Sequence, residues 1–194
     1  MPLTFILLGL VLIFKLFFET NKIQKTWVCV FCAFAMFGFI VPPLYLKTFS
    51  VNVCLIVGSL GLLLFFIKSL PKLKVLNIVL QSLFILICYI ALAKYNSDFI
   101  TTLNPYPVLV ILLIFNLLNL KNLNGIVCLN CLTFLLVSLS NLTVEVGLGY
   151  VHVASYEFFN LIGAIVFVVV VIHFALKQTK ILKEKKHENR FKQK

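Results

Sequence analysis

The sequence predicts an all-α fold: a polytopic transmembrane helix bundle of about seven spans, with the N-terminus outside and the C-terminus in the cytoplasm. Three observations carry that prediction. Hydrophobic residues make up 62% of the 194 and charged residues only 12%, and the mean hydropathy is +1.10. A soluble domain carries about 25% charged and about 45–50% apolar residues, so lipid has to be the solvent for most of this surface. The apolar residues gather into seven runs joined by polar stretches, most of them short. The 17 basic residues fall mainly at the ends of those runs and in the tail.

The runs cover 2–18, 27–46, 51–67, 75–93, 106–120, 126–142 and 157–176, all within one membrane domain, 1–176. A span takes about 17–25 residues. The first run has no basic region ahead of it, and Phe17, Phe18 and Glu19 stand where a cleavage site needs small residues. It therefore reads as a retained span rather than a removed signal. Lys15 and Glu19 make it the weakest of the seven, and a six-span form without it is the alternative. The fourth and seventh runs are comfortably long. The fifth is short, and Pro105 and Pro107 predict a broken or tilted start. Residues 177–194 are a basic cytoplasmic tail of mostly Lys, Glu, Gln and Asn. It reads as a solvated extension of the last helix, with anionic lipid headgroups as its electrostatic partner.

Orientation follows from the lysines. Seven spans put Lys15, Lys22, Lys25, Lys68, Lys72, Lys74 and Lys121 on the side of the tail, whose own eight bases bring that side to 15; the other side holds Lys47 and Lys94. The positive-inside rule makes the crowded side cytoplasmic. Removing a middle span would mix the two sets.

Few residues inside the runs carry chemistry. Ionisable groups in hydrocarbon are functional candidates because burying them is costly, and His173 is the one example toward the inner half. Uncharged polar residues are more numerous: Asn77 and Gln81 in the fourth run, Asn116 and Asn119 in the fifth, Asn130 in the sixth and Asn160 in the seventh. Asn77 and Gln81 share a helix face at i, i+4, and Asn116 and Asn119 at i, i+3. Either they bond between helices or they line a cavity for a small neutral solute. Cys29 with Cys32, and Cys128 with Cys131, form two C-x2-C pairs near the inner ends of their runs. That spacing suits a zinc site or a dithiol, although cysteine is also a common apolar filler. Cys54 and Cys88 fall near the outer face, where an oxidising compartment would let them pair. Asp98, Glu145, His152 and Glu157 make a small acidic set on the outer face, able to attract a cation. Asn141-Leu142-Thr143 is a glycosylation sequon, but so near the membrane that it is expected to be unused.

The stretch Val28-Cys29-x-x-Cys32 recurs as Val127-Cys128-x-x-Cys131, 99 residues on. Read as parallel repeats of three spans joined by a fourth, the plan resembles that of the SWEET sugar transporters and the KDEL-receptor-like proteins, and parallel repeats are a known way to build a transporter. The Pro-Gln pair typical of that superfamily is missing from the first and fifth runs. The stretches Pro105-Tyr106-Pro107-Val108-Leu109-Val110 and Phe158-Phe159-Asn160-Leu161-Ile162 are similar to those of a bacterial inner-membrane family associated with lipid and polyene gene clusters. The charged loop expected between that family's last spans is absent.

Three functional readings follow, in this order. The first is an accessory or scaffold subunit of a membrane complex. The second is a small-solute or lipid transporter with a three-plus-one-plus-three repeat. The third is a membrane-embedded thiol or metal enzyme. The enzyme ranks last because the sequence has no nucleophile–base pair, metal-binding His pair, phosphate loop or acidic pair on one helix. No cofactor is expected. The expected partners are the bilayer, anionic headgroups, and a membrane protein or second copy, with no nucleic acid. A bacterial inner membrane or plasma membrane is favoured over an organelle membrane.

Overall fold

The computed structural model of the chain describes residues 4, 6–10, 22–45, 49–95, 106–144, 151–153 and 155–192. The described elements are, in order, α1 (Lys22–Ile40), β1 (Leu44–Tyr45), β2 (Phe49–Val51), α2 (Val53–Ile67), α3 (Lys72–Tyr95), α4 (Tyr106–Leu118), α5 (Leu123–Val144), β3 (Val151–Val153) and α6 (Tyr156–Lys192). Residues 6–10 are helical as well.

The prolines set several boundaries. Pro42 and Pro43 lack the N–H that would continue α1, so the apolar run 27–46 stops being helical at Ile40 and its end enters β1. Pro71 precedes α3 and Pro107 sits in the first turn of α4, where a missing N–H costs nothing. Asn52 caps α2: its Oδ1 accepts from the Leu55 N–H at 3.2 Å while its Nδ2 donates to the Gly38 carbonyl at 2.6 Å. One amide thus ties the end of α1 to the start of α2. The last helix does not stop at residue 176 but continues through the basic tail to Lys192.

The described chain is all-helical, as expected, apart from one small sheet too short to leave a period in the sequence. β1 pairs antiparallel with β2, Leu44 opposite Val51, and β2 pairs parallel with β3, Ser50 opposite His152. Among the described residues, three helices rather than seven are long and apolar enough to cross a membrane: 72–92 in α3, 123–141 in α5 and 157–179 in α6. α2, with 15 residues, and α4, with 13, fall short of that length.

α5 is the centre of the molecule, packing against α2, α3, α4, α6 and β3. Most of its apolar span is buried inside the protein, against less than a quarter for α3 and α6, and it is the least hydropathic of the three. The residues it buries include Asn130, Thr133, Ser138 and Ser140 beside apolar ones, whereas α3 and α6 expose Leu, Ile, Val and Phe along their apolar spans. A water-soluble bundle instead turns its apolar face inward.

Close packing has visible causes. A Cβ at Gly58 would lie 2.8 Å from the Ala35 backbone nitrogen, so α1 and α2 approach through their small residues, and the Phe31 ring covers Gly61. Phe134 of α5 stacks on Phe158 and meets Phe159 edge-on, with centroids 6.2 and 4.9 Å apart.

Hydrogen bonds sort the connections into two ends. At one, β2 joins β3, and Thr4 donates through its backbone N–H to Asn160 Oδ1 (3.0 Å) and through its hydroxyl to the Asn160 carbonyl (2.9 Å). At the other, Asn124 donates to Ser69 Oγ at 2.9 Å and His173 Nδ1 meets the Leu120 carbonyl at 2.6 Å.

Candidate functional site

The polar residues singled out in the sequence converge around the second of these ends. Asn116, near the end of α4, and Asn130, near the start of α5, face each other in the interior at 0% and 3% exposure. They exchange amide bonds: Asn130 Nδ2 donates to Asn116 Oδ1 at 2.7 Å, and Asn116 Nδ2 returns a bond to Asn130 Oδ1 at 3.3 Å. Each amide also donates to the carbonyl four residues back in its own helix, Leu112 at 2.9 Å and Ile126 at 2.7 Å. All four side-chain polar atoms are therefore engaged, as burial in a low-dielectric interior demands.

A second pair lies one turn away. Asn119 Nδ2 donates to Gln81 Oε1 of α3 and to the Phe115 carbonyl, both at 2.8 Å. The Phe84 and Phe115 rings meet edge-on beside it, centroids 5.8 Å apart. His173 of α6 completes the set. A carbonyl only accepts, so Nδ1 carries the proton in its bond to Leu120. Four helices, α3 to α6, are thereby pinned at one end by side-chain bonds, each worth about 0.6 kcal/mol on average between membrane helices.

The remaining candidates lie elsewhere. Asn77 is exposed, one turn before Gln81 on α3. Asn160 sits at the opposite end, holding Thr4, and a side chain at Gly163 one turn further on would collide with the Thr4 hydroxyl. Asp98 and Glu145 fall outside the described residues. His152 lies in β3 opposite Ser50, and Glu157 is exposed in the first turn of α6, where a negative charge suits the helix dipole.

The C-x2-C residues stand on unbroken helix, so each pair sits about 60° apart on one face. Cys32, Cys128 and Cys131 are buried in the same apolar core; Cys29 is half-buried. All six cysteines are free thiols, including Cys54 and Cys88. Among the described residues no three His, Cys, Asp or Glu side chains gather where one metal ion could be held. The two copies of the repeated stretch also have different surroundings: α5 is central, while α1 packs chiefly on α2.

Several contacts escaped the sequence reading. The Tyr89 hydroxyl donates to Asn141 Oδ1 at 2.7 Å, which engages the sequon asparagine between α3 and α5. The Asn124–Ser69 and Thr4–Asn160 bonds join residues 55 and 156 positions apart, and no local signal marks such pairs. Two buried hydroxyls, Ser59 Oγ on α2 and Thr133 Oγ1 on α5, make no hydrogen bond. Either can turn to its own i−4 carbonyl.

No family model matches the chain, and no curated protein or solved structure matches it either.

Proposed function

We propose that the protein is a multi-pass membrane protein serving as an accessory or scaffold subunit of a membrane complex. In this reading the chain is threaded seven times, N-terminus outside and basic tail in the cytoplasm of a bacterial or plasma membrane. The observation that carries it is the pairing of the interior amides. Asn116 and Asn130 spend all their side-chain hydrogen bonds on each other and on helix carbonyls, and Asn119 donates to Gln81 and to the Phe115 carbonyl, which suits cement between helices better than the lining of a solute path.

Two further points support it. Exposed Lys68, Lys72, Lys74, Lys121 and Lys177 all belong to the end that holds the Asn124–Ser69 and His173–Leu120 bonds, as positive-inside threading requires. The short α2 and α4 rise about 22 and 20 Å, less than the ~30 Å hydrocarbon core. Association with other helices is one way a short span is accommodated.

The test is native mass spectrometry of the protein extracted gently from its own membrane. The expected result is a stoichiometric second membrane polypeptide. A lone monomer or homodimer, stable on its own and carrying a retained solute or lipid, would count against the subunit reading and in favour of the transporter.

A further inference from the structure

The joint between the α2–α3 and α4–α5 connections has both a charged and an apolar part. Asn124 of α5 bonds Ser69 across it at 2.9 Å, and Ser69 Oγ in turn donates to the Phe66 carbonyl at 2.6 Å. Lys68, Lys72 and Lys121 each lie within three residues of that bond, Lys74 lies five from it, and all four are exposed. None of the chain's six acidic residues falls between Lys22 and Lys94 or between Phe99 and Val144, so these elements bring no carboxylate to neutralise the lysines.

The apolar part starts in the same turn. Leu73 stands between Lys72 and Lys74 at 82% exposure, the highest of the large apolar side chains among the described residues. Leu76, Leu80, Leu83 and Ile87 continue from it along α3, all exposed, at spacings of three and four that keep them on one side of the helix. From Leu73 to Leu83 the stripe runs ten residues, about 15 Å, or half the depth of a ~30 Å hydrocarbon core.

We infer that this joint seats one anionic phospholipid, its phosphate among Lys68, Lys72 and Lys121 and an acyl chain along the α3 stripe. The inference rests on the membrane reading above. A free phosphate would use the lysines but not the stripe, and a neutral lipid the stripe but not the lysines. An anionic amphiphile uses both. Each lysine near such a headgroup contributes about fivefold to partitioning, so three together contribute on the order of a hundredfold.

The experiment uses the full chain in mixed micelles of phosphatidylglycerol and phosphatidylcholine, with retained lipid counted by native mass spectrometry. The wild-type protein should keep one phosphatidylglycerol in preference to phosphatidylcholine, and inorganic phosphate should not displace it. The combined Lys68→Ser, Lys72→Ser and Lys121→Ser variant should lose that preference at least tenfold. Neutralising Lys185, Lys186 and Arg190 of the tail instead should leave it unchanged. Equal retention of the two lipids by the wild type, an unchanged preference in the loop variant, or loss of preference only in the tail variant would each overturn the seat. Alkaline carbonate washing separates the two failures. A chain that stays in the membrane without lipid preference refutes the seat alone, whereas release of the wild-type chain refutes the membrane reading as well.

Discussion

Asn116 and Asn130 show what a single polar pair does in this interior. Together they satisfy each other; alone, either would leave a buried amide short of a partner, which costs about 1–3 kcal/mol. Asn116→Leu should therefore destabilise the protein by about that amount, and adding Asn130→Leu should cost less than the sum of the two single changes, because the second removes the orphan left by the first. Unfolding of the variants in mixed micelles measures both. Additive losses would mean that the two side chains do not interact. The sequence supplied half of this site. Spacing at i, i+3 placed Asn116 and Asn119 on one face of a helix, and depth along the run placed Asn130 nearby. It gave no way to know that Asn116 would choose Asn130 and Asn119 would choose Gln81, since a partner 14 or 38 residues away leaves no local pattern. The C-x2-C pairs illustrate the converse: a spacing suited to metal or redox chemistry, with Cys32, Cys128 and Cys131 buried in an apolar core and Cys29 half-buried.

At the scale of elements, helix existence was the legible part, because long apolar runs have few other options in lipid. Helix ends were legible where proline was read as a boundary, at Pro105 and Pro107 ahead of and within the start of α4, and missed where it was read as part of a run, at Pro42. The three strands were illegible: a two- or three-residue strand has no period, and β2 finds β3 across a hundred residues of chain. Contacts between elements depend on small residues. Gly58 lets α2 approach the Ala35 backbone of α1, so Gly58→Leu has no room and should separate that pair at a cost of about 1–3 kcal/mol or more. Gly125→Ala, whose nearest neighbour is the flexible Asn122 side chain at 3.1 Å, should be far milder. Comparing the thermal unfolding of the two variants in detergent tests whether backbone approach or helix propensity governs. Equal effects would favour propensity.

For the whole molecule, what decides the reading is which residues face out. Of the three long apolar helices, α5 is the least hydropathic and the most enclosed, and α3 and α6 expose Leu, Ile, Val and Phe. Long helices that expose such side chains, as α3 and α6 do, are compatible with a solvent of hydrocarbon. The threading proposed from the lysine count groups together connections that are bonded to one another: Ser69 with Asn124 and Leu120 with His173 at one end, β2 with β3 at the other. The most direct test is labelling of single cysteines, introduced into a chain otherwise free of cysteine, with a membrane-impermeant maleimide on intact cells. Tyr45→Cys and Glu157→Cys should label from outside, while Lys68→Cys and Lys121→Cys should label only after the membrane is opened. Labelling of Lys121→Cys and Tyr45→Cys from the same side of a sealed membrane would contradict the account.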